Sequence, residues 1–74
     1  MKQIQLARIM DYKRNYYLIV RVQRTAKDGR LNPYEVRYKY FEPLSGWKTR
    51  KVEEHLKYDT ALCDVISRIR LDTI

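Results

Sequence analysis

Only apolar packing can stabilise the fold of this chain, because the sequence lacks the disulfides and the metal sites that stabilise many small folds. It has one cysteine, Cys63, and one histidine, His55, among 74 residues. A single cysteine excludes an intramolecular disulfide, and one cysteine with one histidine cannot supply the four ligands of a structural zinc ion. We therefore predict a single domain over residues 1–74, without metal or cofactor, whose core draws on a composition that is 45% hydrophobic.

Two stretches alternate in the way that half-buried β-strands do, namely residues 16–24 and 34–41. The expected core face carries Tyr16, Leu18, Val20 and Val22 of the first stretch with Tyr34, Val36, Tyr38 and Tyr40 of the second. A two-residue turn would set charged residues opposite this face. A three-residue loop at 27–29, with Gly29 in the left-handed position, instead pairs Val20 with Val36. We therefore predict this hairpin register, with Pro33 near its end.

The remaining segments predict two further strands and a helix. Residues 3–10 and 47–52 have strand patterns, and polar turns are expected at 11–15 and 43–46. Helical spacing from about 59 to 71, with Asp59 as the N-cap, gives an apolar stripe of Ala61, Leu62, Val65, Ile66 and Ile69. Whether 52–56 extends this helix is left open. The predicted class is α+β: a three- to four-stranded antiparallel sheet with one C-terminal amphipathic helix packed on one face.

Positive charge is concentrated in the middle of the chain. The whole sequence has 16 Lys and Arg against 9 Asp and Glu, a net charge of +7. Residues 13–51 hold eleven basic and three acidic side chains, whereas residues 52–74 hold three basic and five acidic. This asymmetry predicts a polyanionic partner, either nucleic acid or an acidic protein surface. With no apolar run long enough for a signal peptide or membrane span, we expect a cytoplasmic protein that does not contact membranes.

A basic sheet face with an outward tyrosine is the predicted binding surface. Guanidinium groups can bond phosphates, and a tyrosine ring can stack on a base. The candidate residues are Tyr17, Arg21, Gln23, Arg37, Lys39, Lys48 and Arg50 on the open face, with Arg24, Lys27 and Arg30 at the hairpin tip. The competing interpretation is structural, because lysine and arginine on solvated strands also prevent edge-to-edge aggregation.

Other conspicuous residues have ordinary structural interpretations. We expect Trp47 and Thr49 to point inward, Cys63 to be a buried inert thiol, and His55 to be an exposed turn residue. The sequence has no glycine-rich phosphate loop, paired-histidine metal motif or nucleophile elbow. We therefore predict that the protein is not an enzyme and has no small-molecule substrate.

The region around Asp28-Gly29 and residues 47–68 resembles the arm-type DNA-binding domains at the N-termini of tyrosine recombinases. The resemblance is one of arrangement and carries no residue across, so no family is assigned. We predict a small basic nucleic-acid-binding accessory or regulatory protein of phage or mobile-element type, with DNA favoured over RNA. The alternative is a phage-type inhibitor that binds an acidic or nucleic-acid-binding surface of a host enzyme or defence complex, for example an RNA polymerase or a CRISPR effector. An exposed edge strand could also pair two copies into a homodimer.

Overall fold

The computed structural model describes residues 3–23 and 32–71. These form β1 (Gln3–Met10), β2 (Tyr16–Val22), β3 (Tyr34–Glu42), β4 (Gly46–His55) and α1 (Tyr58–Leu71). The sheet is antiparallel and has the order β1-β2-β3-β4, so each strand lies beside the next one in the sequence. The predicted α+β class is confirmed with four strands. The question left open for residues 52–56 is answered, since β4 continues to His55 and α1 begins at Tyr58.

The helix covers one face of the sheet and creates the main core there. Ala61 and Val65 of α1 pack against Tyr17 and Ile19 of β2 and Val36 of β3. Ile19, Val36 and Val65 are fully buried, and burying a side chain of this size contributes about 1.5–3 kcal/mol. Val52 occupies the extra position of a bulge in β4 and packs against the same cluster. We call this the helix side of the sheet and the opposite surface the open side.

The predicted hairpin register is wrong by one residue. Ile19 pairs with Val36, Leu18 with Arg37 and Tyr17 with Tyr38. A slip of one residue moves every side chain of a strand to the other face. Tyr17 and Ile19 therefore lie on the helix side, and Leu18, Val20 and Val22 form a second buried cluster on the open side with Tyr16 packed against it. The loop predicted at 27–29 lies outside the described residues.

The register prediction failed because β2 is apolar on both of its faces. Residues 16–20 read Tyr-Tyr-Leu-Ile-Val, so alternation alone does not say which side the helix covers. The prediction assumed that charge could not lie opposite the valine side of β2. In the structure Glu35 does lie opposite Val20, but the Glu35 carboxylate is paired with Arg37, with an O–N distance of 3.0 Å. The open side thus tolerates charge beside apolar side chains.

The two described turns lie at the same end of the sheet. In the first, the Asp11 carboxylate accepts hydrogen bonds from the backbone N–H groups of Lys13 and Asn15, at 2.9 and 2.8 Å. Arg14 adopts a left-handed φ of 64° in this turn. In the second, Gly46 has a φ of 80°, which glycine adopts without a steric penalty. We call this end of the sheet, formed by residues 11–15 and 43–46 and the strand residues next to them, the turn end.

Three predictions for single residues around the helix are also wrong. Cys63 is exposed, because it lies about 200° around the helix from the buried Ala61. His55 is a half-buried strand residue whose Nε2 lies 2.7 Å from Oδ2 of Asp64 on the helix. Asp59 lies within the first helical turn, since α1 begins one residue earlier. Of the predicted apolar stripe, Ile66 is 41% exposed and the other four members face the core.

Candidate nucleic-acid interface

The structure divides the predicted binding residues between two surfaces. Arg37 and Lys39 lie on the open side as expected. Arg21, Lys48 and Arg50 lie on the helix side, because their strand partners Tyr34, Tyr40 and Tyr38 do. Gln23 is exposed just after β2. The proposed residues of the hairpin tip, Arg24, Lys27 and Arg30, lie outside the described residues.

Tyr17 is not an exposed stacking residue. Its side chain is 7% exposed in the core under the helix, and its ring lies 4.8 Å from that of Tyr38. The expectation for Trp47 and Thr49 is reversed in the same way. They lie opposite Phe41 and Lys39 on the open side, and Trp47 is 49% exposed. The register between β2 and β3 places Tyr17 on the helix side. The pairing of β4 with β3 places Trp47 and Thr49 on the open side.

Aromatic rings gather at the turn end on both surfaces of the sheet. On the open side the ring of Trp47 lies 5.8 Å from that of Tyr16 and 5.4 Å from that of Phe41, measured between centroids. Two cations lie over these rings. The Arg8 guanidinium carbon is 5.0 Å from the Tyr16 centroid, and Lys39 Nζ is 5.5 Å from the Trp47 centroid. Such distances are within the range of cation–π attraction.

On the helix side the turn end contains a shallow concavity of about 350 Å³. It is lined by Lys13, Asn15, Tyr38, Tyr40, Phe41 and Arg50. The rings of Tyr38 and Tyr40 are stacked, with centroids 5.8 Å apart and an interplanar angle of 18°. The Arg50 guanidinium carbon lies 5.9 Å from the Tyr38 centroid. The concavity therefore combines an aromatic wall with two cationic side chains.

A hydrogen-bond network holds the base of this concavity in place. The Tyr38 hydroxyl donates to Asp11 Oδ2 at 2.7 Å and accepts from Asn15 Nδ2 at 3.0 Å. Asn15 Oδ1 in turn accepts from the backbone N–H of Phe41 at 3.2 Å. Burial, reinforced by the hydrogen bond to Asp11, raises the pKa of Tyr38 to about 12. The turn between β1 and β2 is thus tied to β3, and these hydrogen bonds fix the position of the Tyr38 ring.

Most cations at the turn end have no carboxylate partner among the described residues. Within residues 3–23 and 32–71, no ion pair is formed by Arg8, Lys13, Arg14, Lys39 or Arg50. Away from this end, Arg37, Lys51 and Arg68 bond carboxylate oxygens at 3.0, 2.9 and 2.8 Å. Lys48 pairs with Glu42 at 3.1 Å, but both side chains are nearly half exposed, so this pair is weak. Five described cations without a carboxylate partner therefore lie at the turn end, close to the aromatic rings.

No known protein family, curated protein or solved structure matches this chain. Over the part of the chain that the structure describes, no cluster of three or more histidine, cysteine or acidic side chains could hold a metal ion. The one described helix is also too short and too polar to cross a bilayer. The assignment of function therefore depends on the geometry of the turn end.

Sequence reasoning missed several residues of this site, including Lys13, Asn15, Tyr40 and Trp47. Tyr40 and Trp47 had been interpreted as core residues. A signal was nevertheless present at the first turn, where only Asn15 separates Lys13-Arg14 from Tyr16-Tyr17. Cations close to aromatic residues in a turn suit contacts with the phosphate backbone and the bases of a nucleic acid. That the second turn lies beside this one could be known only from the sheet topology.

Proposed function

We propose that this protein binds single-stranded nucleic acid at the turn end of its sheet and has no catalytic role. The observation that carries the proposal is that cations without a carboxylate partner among the described residues lie beside aromatic rings on both surfaces there. Of these rings, Phe41 and Trp47 are exposed on the open side, and Tyr38 and Tyr40 are half-buried on the helix side. Phosphates require positive charge that is not already neutralised, and unstacked bases require accessible ring faces. DNA is the form that we expect, as the nucleic acid of a small accessory or regulatory protein of phage or mobile-element type.

The shape of the site favours a single strand over a duplex. Base stacking on tyrosine or tryptophan needs bases that are free of their own stack, which single strands supply. The cations are distributed around the aromatic rings of Tyr40 and Trp47, and do not lie along one helix or ribbon that could enter a major groove. A duplex would contact the same charges through its phosphates but could not use the rings.

The concavity on the helix side suits one nucleotide. A base would lie against the exposed part of the Tyr40 ring, and the adjoining phosphate would lie between Lys13 and Arg50. An arginine can bond two phosphate oxygens at once, while the lysine acts as a point charge. On the open side, Trp47 with Lys39 would provide an equivalent arrangement for a neighbouring nucleotide.

A second candidate function is inhibition of a host protein through the open side. It is favoured by the exposed apolar side chains there: Met10, Phe41 and Trp47 are 57%, 52% and 49% exposed. Tryptophan and neighbouring arginine are common anchors of protein interfaces. The two functions differ in their dependence on salt, since an interface anchored by buried apolar groups loses little affinity when charges are screened.

Fluorescence anisotropy with labelled single- and double-stranded DNA and RNA, at low and moderate salt, tests the proposal. We expect single strands to bind more tightly than duplexes of the same length, with affinity falling steeply as salt rises. Absence of binding to every strand at low salt would refute the proposal and leave the protein-directed function. Equal affinity for duplex and single strand would refute the role of the rings while keeping that of the charges.

A matched pair of variants separates the two candidates further. Trp47→Ala removes the largest ring of the open side, and Leu44→Ala removes a fully exposed apolar side chain from the neighbouring turn. If a single strand stacks on Trp47, the first variant weakens DNA binding by about 1–3 kcal/mol and the second leaves it unchanged. Unchanged DNA affinity in both variants would rule out base stacking on Trp47.

A further inference from the structure

The two edges of the sheet differ sharply in charge. β4 presents an edge crowded with ions, since its residues include Lys48, Arg50, Lys51, Glu53 and Glu54. β1 has one charged side chain, Arg8, among its eight residues. Charged side chains are a common means of preventing a sheet edge from pairing with another strand. The edge of β4 is protected in this way, and the edge of β1 is not.

The unprotected edge also carries exposed apolar side chains. Ile4 is 57% exposed, Leu6 43% and Met10 57%. Leu6 occupies the extra position of a bulge, since Gln5 pairs with Val20 and Ala7 with Ile19. An edge strand exposes backbone N–H and C=O groups that a further strand can bond. The bulge interrupts this row of backbone groups at Leu6, so the parts of β1 on either side of it are the ones suited to an added strand.

We propose that β1 pairs antiparallel with β1 of a second copy of this chain. The register that fits is centred between Leu6 and Ala7. It sets Ile4 opposite Ile9 of the second copy, and Gln5 opposite Arg8 of the second copy. Residues directly opposite each other share a face, and the pairing with β2 places Ile4 and Ile9 on the helix side and Gln5 and Arg8 on the open side. A shift of one residue would instead set Ile4, which lies on the helix side, opposite Arg8, which lies on the open side.

The sequence of β1 supports a second copy as the occupant, because the strand is complementary to itself in this register. No like charges face each other, since each Arg8 lies opposite a glutamine amide that can accept its hydrogen bond. The assembly also stops at two copies. A two-fold axis pairs the two β1 edges with each other and leaves only the charged β4 edges exposed. The product is an eight-stranded sheet with both helices on one side and the two turn ends at opposite corners.

Sedimentation equilibrium or light scattering of the full chain tests this proposal independently of nucleic-acid binding. We expect twice the chain mass of 9.1 kDa at micromolar concentration. Raising the salt should strengthen the dimer, since two copies of net charge +7 repel each other, whereas it should weaken nucleic-acid binding. Leu6→Lys should give a folded monomer, and the control Thr49→Lys, which adds the same charge to β4, should remain dimeric. A wild-type monomer at all salt concentrations, or a dimer that Leu6→Lys leaves intact, would overturn the proposal.

Cross-linking tests the register even if Leu6→Lys folds poorly. On a Cys63→Ser background, Gln5→Cys and Arg8→Cys proteins are mixed and oxidised. The proposed register brings residues 5 and 8 of different copies to opposite positions, where β-carbons are about 4.5–5.5 Å apart. We therefore expect mixed cross-links to exceed those formed within either variant alone. Equal yields in the mixture and in the separate samples would refute this register.

Discussion

Arg37 on β3 reaches across β2 to Gln3 on β1, where its Nη1 donates to Gln3 Oε1 at 3.1 Å. The same guanidinium donates through Nε and Nη2 to Glu35 Oε1, at 3.1 and 3.0 Å. Leu18 and Val20 of β2, which are only 8% and 4% exposed, lie between these strands on the same surface. On the open side, long polar side chains from the flanking strands thus cover the apolar residues of the central strand.

Arg37→Ala should mainly affect stability. It removes the hydrogen bonds to Gln3 and Glu35 and uncovers Leu18, so we expect the free energy of unfolding to fall by about 1–2 kcal/mol. Lys51→Ala is the control, since it removes an exposed ion pair and should change stability by no more than about 0.5 kcal/mol. Urea denaturation gives both values, and equal effects would contradict the covering role of Arg37.

Arg50→Ala should reduce both the affinity for single-stranded DNA and its dependence on salt. Each phosphate contact contributes a slope of about −0.7 to the logarithm of the binding constant against the logarithm of salt concentration. Loss of one contact should therefore lower the magnitude of the slope by about 0.7. Lys57→Ala, which removes an exposed cation before α1 at the other end of the sheet, should leave the slope unchanged. Equal slopes for both variants would place the phosphates elsewhere.

Tyr40→Ala should weaken binding to single strands by about 1–3 kcal/mol through loss of base stacking. Tyr40→Phe keeps the ring and should retain nearly all of the affinity. Anisotropy titrations at one salt concentration compare the two variants, and thermal unfolding checks that each remains folded. If the phenylalanine variant lost as much affinity as the alanine variant, the hydroxyl and not the ring would be the contact.

Tyr38 should make stability fall at alkaline pH. Its pKa is raised from 10.0 to about 12 by burial and by the hydrogen bond to Asp11. A raised pKa means that the folded state holds the proton more tightly than the unfolded state. The contribution of this proton to the free energy of unfolding is therefore complete below pH 10.0 and is lost as pH rises towards 12. The stability difference between the wild type and Tyr38→Phe should therefore shrink over that interval. A difference that stays constant with pH would contradict the assignment.

Tyr17→Ala should strongly destabilise the protein, because this ring is part of the core under the helix. Truncation of a buried aromatic side chain costs about 3–5 kcal/mol. Tyr12→Ala makes the same substitution at a turn residue that is 72% exposed, and should change stability by no more than about 0.5 kcal/mol. Chemical denaturation of both variants tests the observed register. Similar stability of the two would restore the register in which Tyr17 faces solvent.

Local pattern predicted most elements of this fold, although not where β4 ends. The β-branched and aromatic run at 16–22, the alternation over 34–41, the polar stretch at 11–15 and the helical spacing from Ala61 to Ile69 each depend on side chains close in the sequence. The concentration of positive charge in residues 13–51 is likewise a property of the sequence alone. These features are sufficient for the α+β class and for the expectation of a polyanionic partner.

The tertiary structure decided which surface each residue occupies. Because residues 16–20 are apolar throughout, either face of β2 could meet the helix, and the choice depends on pairing with β3 and on packing against Ala61 and Val65. A change of one residue in the register between β2 and β3 moves Tyr17 into the core, and the pairing of β4 with β3 places Arg50 on the opposite side of the sheet from Arg37. Only the sheet topology brings the turns at 11–15 and 43–46 together, and with them the rings and unpaired cations that form the candidate site.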